Sequence, residues 1–330
     1  MIPAQPPAVR RLLATARATR FRAERATAGR GAGGTQGLLE PVHLSVRDSR
    51  TLNLAVAALA GEQIERAHLL VSRGHRRFRI PLAFERHARG GLLLAGTATL
   101  RDARDASGEA DAPDRPRLGE GVWRLTVVTA DALGRVQRRG IGLERDTEPP
   151  LTPTLTPTLP HAPDPRTGTL VRVVRCRGGR AVLQVTRSRP RAELLRFVPG
   201  SDGITVHGRL VRTGRGRRWR AKAVRRRDGV TVPVGAMWDG TEFSFALPLA
   251  QMAGAGPGQW VWDFHVEPET HGTPLPLGRW LTDVRDPAAA CPTPFRVFAL
   301  PGGTLIRAHA HFTKSGAFAL TCWDISKETS

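Results

Sequence analysis

From residue 40 onward the apolar residues of this chain alternate with polar ones. Val42, Leu44 and Val46 form one such run, and Leu52, Leu54 and Val56 the next. A two-residue period puts apolar side chains on one face of an extended segment, whereas a helix would scatter them around its axis. Comparable runs follow at 68–71, 78–82, 92–100, 122–128 and 138–144, and again from 169 to 323. Turn formers such as Asp228-Gly229 and Asp239-Gly240 separate them, and 35 Gly and 26 Pro supply the breaks. The pattern excludes a helical bundle and a doubly wound α/β fold and predicts an all-β chain.

The 330 residues suffice for two domains of ordinary size. Residues 147–165 read TEPPLTPTLTPTLPHAPDP, a Pro/Thr run that favours an extended, semi-rigid spacer. A linker over 147–166 separates residues 38–146 from residues 167–330. The first span carries about seven short strands, the number expected of an immunoglobulin-like sandwich. The second repeats the pattern and ends on a hairpin turning at 313–316. The expected architecture is two tandem immunoglobulin-like β-sandwich domains behind a basic arm, residues 1–37.

Residues 8–28 of that arm lack Gly and Pro and predict a helix. Val9, Leu12, Leu13 and Ala16 fall at i, i+3, i+4 and i+7, one apolar stripe. Arg10, Arg11, Arg17, Arg20, Arg22 and Arg25 cover the rest, against a single acidic residue, Glu24. GRGAGGTQG, residues 29–37, then reads as a flexible tether. Such a helix suits an anionic polymer or an anionic membrane surface. A disordered basic tail is the alternative.

The formal net charge is +21, and all basic residues except Lys222, Lys314 and Lys327 are Arg. The excess attracts polyanions. It is spread along the chain, however, and codon pressure that enriches Arg, Ala, Gly and Pro together would produce it too. Nucleic acid is therefore expected only as a non-specific partner. Cys176, Cys291 and Cys322 are odd in number and lack CxxC spacing, which argues against a disulfide framework or a zinc ribbon. With no apolar run long enough to span a bilayer, the expected location is cytoplasmic, at most peripheral at the inner face of the membrane.

The two halves can be overlaid. Arg66-Ala67 matches Arg220-Ala221, Pro81 matches Pro233, and GLLLAGTATL from Gly91 matches GTEFSFALPL from Gly240. GVWRLTV then matches QWVWDFHV, with Trp123 over Trp262, and Gly140 falls near Gly278. Trp123 and Trp262 lie in alternating strands, where a large ring bridges two sheets as a structural anchor. Trp260 and Trp262 share one face; exposed, such rings would stack on sugars.

Asp239-Gly240, Phe243, Leu247-Pro248-Leu249, Trp262-Asp263-Phe264 and Leu277-Gly278-Arg279 form an ordered set of turns and anchors. The set resembles the β-sandwich accessory modules of actinobacterial glycosyltransferases and of CDP-glycerol glycerophosphotransferase-like proteins of teichoic-acid synthesis. RAHAHFTKSGAFAL, residues 307–320, is similar to their Tyr-rich closing segment, with the tyrosines absent and Ala317 in place of Asn. The resemblance covers most of 40–325 and implies the same kind of module. No part resembles the catalytic domain of those enzymes.

No complete catalytic motif is present. GRGAGG follows an Arg-rich helix rather than a strand, and there is no P-loop, GxSxG elbow or HExxH. Asp102, Asp105, Asp111 and Asp114 lie among arginines in the charged stretch 101–120 and read as a solvated loop. His309 and His311 share one strand face, with Cys322 on the partner strand, but a fourth metal ligand is missing. No catalytic group, cofactor or metal is assigned, and a chain of this kind, if an enzyme, would be a transferase. The expected function is a non-catalytic binding or scaffolding module linked to cell-envelope glycopolymer synthesis. Its partners would be an anionic glycopolymer or a glycosyltransferase. A divergent glycosyl or glycerophosphate transferase and a charge-driven nucleic-acid binder are the alternatives.

Overall fold

The computed structural model describes residues 7–28, 37–58, 63–86, 91–103, 115–143, 162–176, 178–213, 217–253, 259–270, 272–282, 284 and 286–325, with side chains from residue 15. Most of the tether, most of the Pro/Thr run, and Asp105, Asp111 and Asp114 lie outside this set. Strands make up 58 % and helices 9 %, so the chain is mostly β. No helix among the described residues is long and apolar enough to cross a membrane.

The chain divides into two units between Arg187 and Ser188. The first begins with helix α1 (Pro7–Ala28), followed by β1 (Pro41–Arg47), β2 (Thr51–Ala57), β3 (Arg66–Arg73), β4 (Arg76–Pro81), β5 (Ala83–Arg86) and β6 (Leu92–Thr99). The short β7 (Arg101–Asp102) and β8 (Arg117–Leu118) come next, then β9 (Gly121–Ala130), β10 (Val136–Gly140), β11 (Leu170–Arg175) and β12 (Ala181–Thr186). One sheet runs β1-β2-β6-β5 and the other β11-β12-β9-β3-β4, with β10 also on β9. Alternation turns Leu52, Leu54 and Leu94 of one sheet toward Leu69, Trp123, Leu125 and Leu183 of the other, in one core.

The second unit contains β13 (Arg191–Pro199), β14 (Ile204–Val211), β15 (Trp219–Arg225), β16 (Thr231–Val234), β17 (Ala236–Asp239) and β18 (Glu242–Ala246). Helix α2 (Leu249–Met252), β19 (Gln259–Pro268), β20 (Leu275–Gly278), α3 (Pro287–Ala290), β21 (Arg296–Ala299), β22 (Leu305–Phe312) and β23 (Phe318–Asp324) complete it. Its strands run β17-β18-β14-β13-β20-β19-β23-β22-β21, with β15 on β19 and β16 on β15. Trp262, Phe264, Phe298 and Phe318 are its largest fully buried side chains.

The units share one strand order. β1-β2-β6-β5 corresponds to β13-β14-β18-β17, and β4-β3-β9-β12-β11 to β16-β15-β19-β23-β22. The match extends to single hydrogen bonds. Leu39 bridges Ile141 in parallel, as Ala192 pairs with Leu277, and Gly142 bridges Arg180 as Gly278 bridges Ala317. The Leu143 amide donates to the Gly179 carbonyl and the Arg279 amide to the Gly316 carbonyl, both at 2.8 Å.

Two features differ from the sequence-based expectation. First, β11 and β12 follow the Pro/Thr run yet belong to the first unit's sheet, β12 pairing with β9 and β11 with β12, so the chain divides at 187/188 rather than within 147–166. Proline-rich composition marks a break in regular pairing, but pairing is non-local and the chain returns to the sheet that it left. Second, the register displaces parts of the overlay. Trp123 lies opposite Leu183 and Trp262 opposite Leu320, so the tryptophans are equivalent. From that anchor Leu69, not Ala67, corresponds to Ala221, and Gly142, not Gly140, to Gly278. A slip of two residues keeps every side chain on its own face, so alternation alone does not reveal it.

Candidate functional site

The arm helix lies on the outer face of the first unit's β9-containing sheet. Phe21 and Ala28 are buried against Val122, Cys176 and Val182. Glu24 accepts the Val122 amide at 2.8 Å and the guanidinium groups of Arg20 and Arg73, each at 3.0 Å. Burial pushes its carboxyl up, but those hydrogen bonds outweigh burial and hold it below the usual carboxylate range. Arg17 binds Glu120 at 2.5 Å and the Arg187 carbonyl at 2.7 Å, and Arg25 reaches the Phe21 carbonyl. Arg22 has no partner among the described residues, and the side chains of Arg10 and Arg11 fall outside them. The packed edge is Arg17, Phe21, Glu24 and Ala28, while Ala16 of the expected apolar stripe is exposed. Phe21, the one aromatic residue of the arm, is the signal that points to this edge.

The equivalent face of the second unit has a different lining. Register places His311 where the first unit has Val174, Ala319 where it has Val182, Val261 where it has Val122, and Trp323 where it has Thr186. No counterpart of α1 covers this face among the described residues. Arg307 lies 4.5 Å from the Phe295 ring centroid and 5.0 Å from that of Trp323. Phe295 meets Trp323 edge-on at 5.4 Å and His309 at 4.4 Å, and His309 stacks on His311 at 4.9 Å. Phe295 is 46 % exposed and the adjoining Val297 56 %, so these rings are open to a ligand. Burial, then His311, pushes the His309 imidazole below its usual value, which keeps it neutral near pH 7.

Cys322 takes no part in this cluster. It pairs with Ala308, faces the core, and burial pushes its thiol up to about 12. His309 and His311 face outward, so the three residues flagged as metal ligands do not converge. The described residues hold no cluster of three metal-ligating side chains. Trp123, Trp260 and Trp262 are buried at 0, 6 and 1 %, so the pair at 260 and 262 shares a face, but an inward one. Trp123 donates to the Gly119 carbonyl at 2.8 Å. Asp102 is not a solvated loop residue. It is buried, and it accepts Arg187 at 2.6 Å and the Thr169 hydroxyl at 2.9 Å. Sequence reasoning missed Phe295 and Arg307. The signal for them is the alternation of Arg307, His309 and His311 along one strand.

No protein-family model matches this chain, and no curated protein matches it. Among solved structures, a fragment of TarS from S. aureus is similar over 64 % of this chain and 55 % of its own length, at 11 % identity and a TM-score of 0.30. A longer TarS structure is similar over 66 % of this chain and 36 % of its own length, at 10 % identity and a TM-score of 0.29. A Ca2+-stabilized, ice-binding adhesin of an Antarctic bacterium is similar over 84 % and 83 %, at 9 % identity and a TM-score of 0.17. This chain therefore spans little more than half of the TarS fragment. Likeness at these scores assigns neither family nor activity.

Proposed function

We propose that this chain is a non-catalytic binding protein, built of two immunoglobulin-like modules, that holds a cell-envelope glycopolymer of the teichoic-acid kind. The observation that carries the reading is the set of open rings around Arg307. Flat aromatic faces take the apolar face of a sugar ring. A guanidinium between two such rings is available to an anionic substituent, and the two imidazoles add hydrogen bonds. The fold does not demand these residues, because the same face in the first unit carries Val122, Val174 and Val182 under a helix. The turn and anchor motifs that resemble teichoic-acid accessory modules support the polymer class.

Isothermal titration with a glycosylated poly(glycerol phosphate) tests the reading. Binding by the full chain is expected, weakened at least about tenfold by Trp323→Ala or Arg307→Ala. Unchanged affinity in both variants overturns the ring platform. Turnover of a nucleotide sugar or CDP-glycerol by the chain alone overturns the non-catalytic reading.

A further inference from the structure

A second feature lies in the first unit and uses none of these residues. On the outer face of its β9-containing sheet, Arg66, Arg77, Arg79, Arg138 and His68 line a hollow of about 380 Å³. His68 and Arg138 both pair with Val128, one from each side, so Val128 forms the floor. No carboxylate lines the hollow, and none of its four arginines has an ion-pair partner among the described residues.

The second unit supplies an internal control. Its residue equivalent to Val128 is Glu267, and Arg220 and Lys222 stand where the first unit has His68 and Leu70. Glu267 binds Arg220 at 2.7 Å and Lys222 at 2.5 Å, so that site carries its own counter-charge. The first unit has more cations at the same place and an apolar residue where the carboxylate would be. Like charges around one concave space repel, and an anion relieves them. Burial, then Arg79 and Arg138, pushes the His68 imidazole below its usual value.

We propose that this hollow binds a phosphoryl anion. Planar guanidinium groups on three strands present paired donors that match phosphate oxygens, and Leu70 and Val136 give the hollow an apolar rim. The group is either free, as phosphate or pyrophosphate, or the diester of a phosphate-bearing polymer.

The full chain is titrated with inorganic pyrophosphate and with a glycerol-phosphate oligomer, by calorimetry and by NMR of the His68 ring. Binding is expected to shift the His68 resonances and raise its titration midpoint. An Arg79→Ala/Arg138→Ala double variant weakens it at least about tenfold. Val128→Glu does the same by installing the second unit's arrangement, and the double Arg variant keeps the test valid if Val128→Glu misfolds. A tighter oligomer than pyrophosphate supports a polymer diester, and equal affinities support a free or terminal phosphate. Trp323→Ala leaves pyrophosphate binding intact, which separates it from the ring platform. A silent His68, or full affinity in the double Arg variant, overturns the site. Duplex-DNA binding lost in that variant without pyrophosphate binding overturns it in favour of a nucleic-acid surface.

Discussion

Trp123 lies directly across the β9–β12 pair from Leu183, and both side chains are fully buried. The Pro/Thr run lies between them in sequence. The first unit therefore has no closed core until β12 is in place. An isolated fragment of residues 7–187 should unfold cooperatively, with ordered near-ultraviolet dichroism from Trp123. A fragment ending at 166 should lose that signal and bind a hydrophobic dye. A native-like spectrum from the shorter fragment would show that β11 and β12 are dispensable.

Trp262 and Trp323 should separate in stability. Trp262 is fully buried, and its truncation to Ala should cost ~3–5 kcal/mol. Trp323 is half-buried on the open outer face, and its truncation should cost roughly 1 kcal/mol. Denaturant midpoints of the two variants decide the ranking. The reverse order would mean that Trp323, not Trp262, anchors the core.

The arm helix should shield a thiol. Cys176 packs beneath Phe21 and is 4 % exposed, and burial pushes its thiol up. Phe21→Ala removes the largest side chain at that contact. Alkylation of Cys176 should then speed up at least about tenfold, the effect of ~1.4 kcal/mol of lost docking. An unchanged rate would assign the docking to Arg17 and Glu24 alone.

The same helix should respond to acid. Glu24 is held below its ordinary value of 4.5 in the folded chain. A depressed carboxylate contributes stability that is present above the unfolded value and is lost as pH falls through the folded one. The Val122 amide resonance, hydrogen-bonded to Glu24, should therefore titrate with a midpoint below 4.5. Glu24→Gln should abolish that step. A midpoint above 4.5 would mean that burial outweighs the hydrogen bonds.

The strands were legible in the sequence because alternation is local. Leu52, Leu54 and Val56 announce both their conformation and their buried face. What was not legible is non-local. The proline-rich run shows where pairing stops and not where it resumes, so β11 and β12 read as the start of a domain rather than the end of one. The basic hollow was hidden for another reason. Its arginines come from three strands, in a chain with arginine everywhere, and only register separates them from the paired arginines of the second unit. The docked edge of α1 was missed because one phenylalanine gives no period.

Each unit is closed last by a hairpin whose leucine meets a tryptophan: Leu183 on Trp123, and Leu320 on Trp262. Until that hairpin arrives, the first half of one edge of the central strand is open, residues 121–124 in β9 and 259–263 in β19, and accepts a partner of matching register. The two closing hairpins share one register and one turn, closed by the Cys176 amide on the Arg180 carbonyl and by the Thr313 amide on the Ala317 carbonyl. At high concentration, refolding chains should therefore trade hairpins and form swapped dimers that contain no contact absent from the monomer.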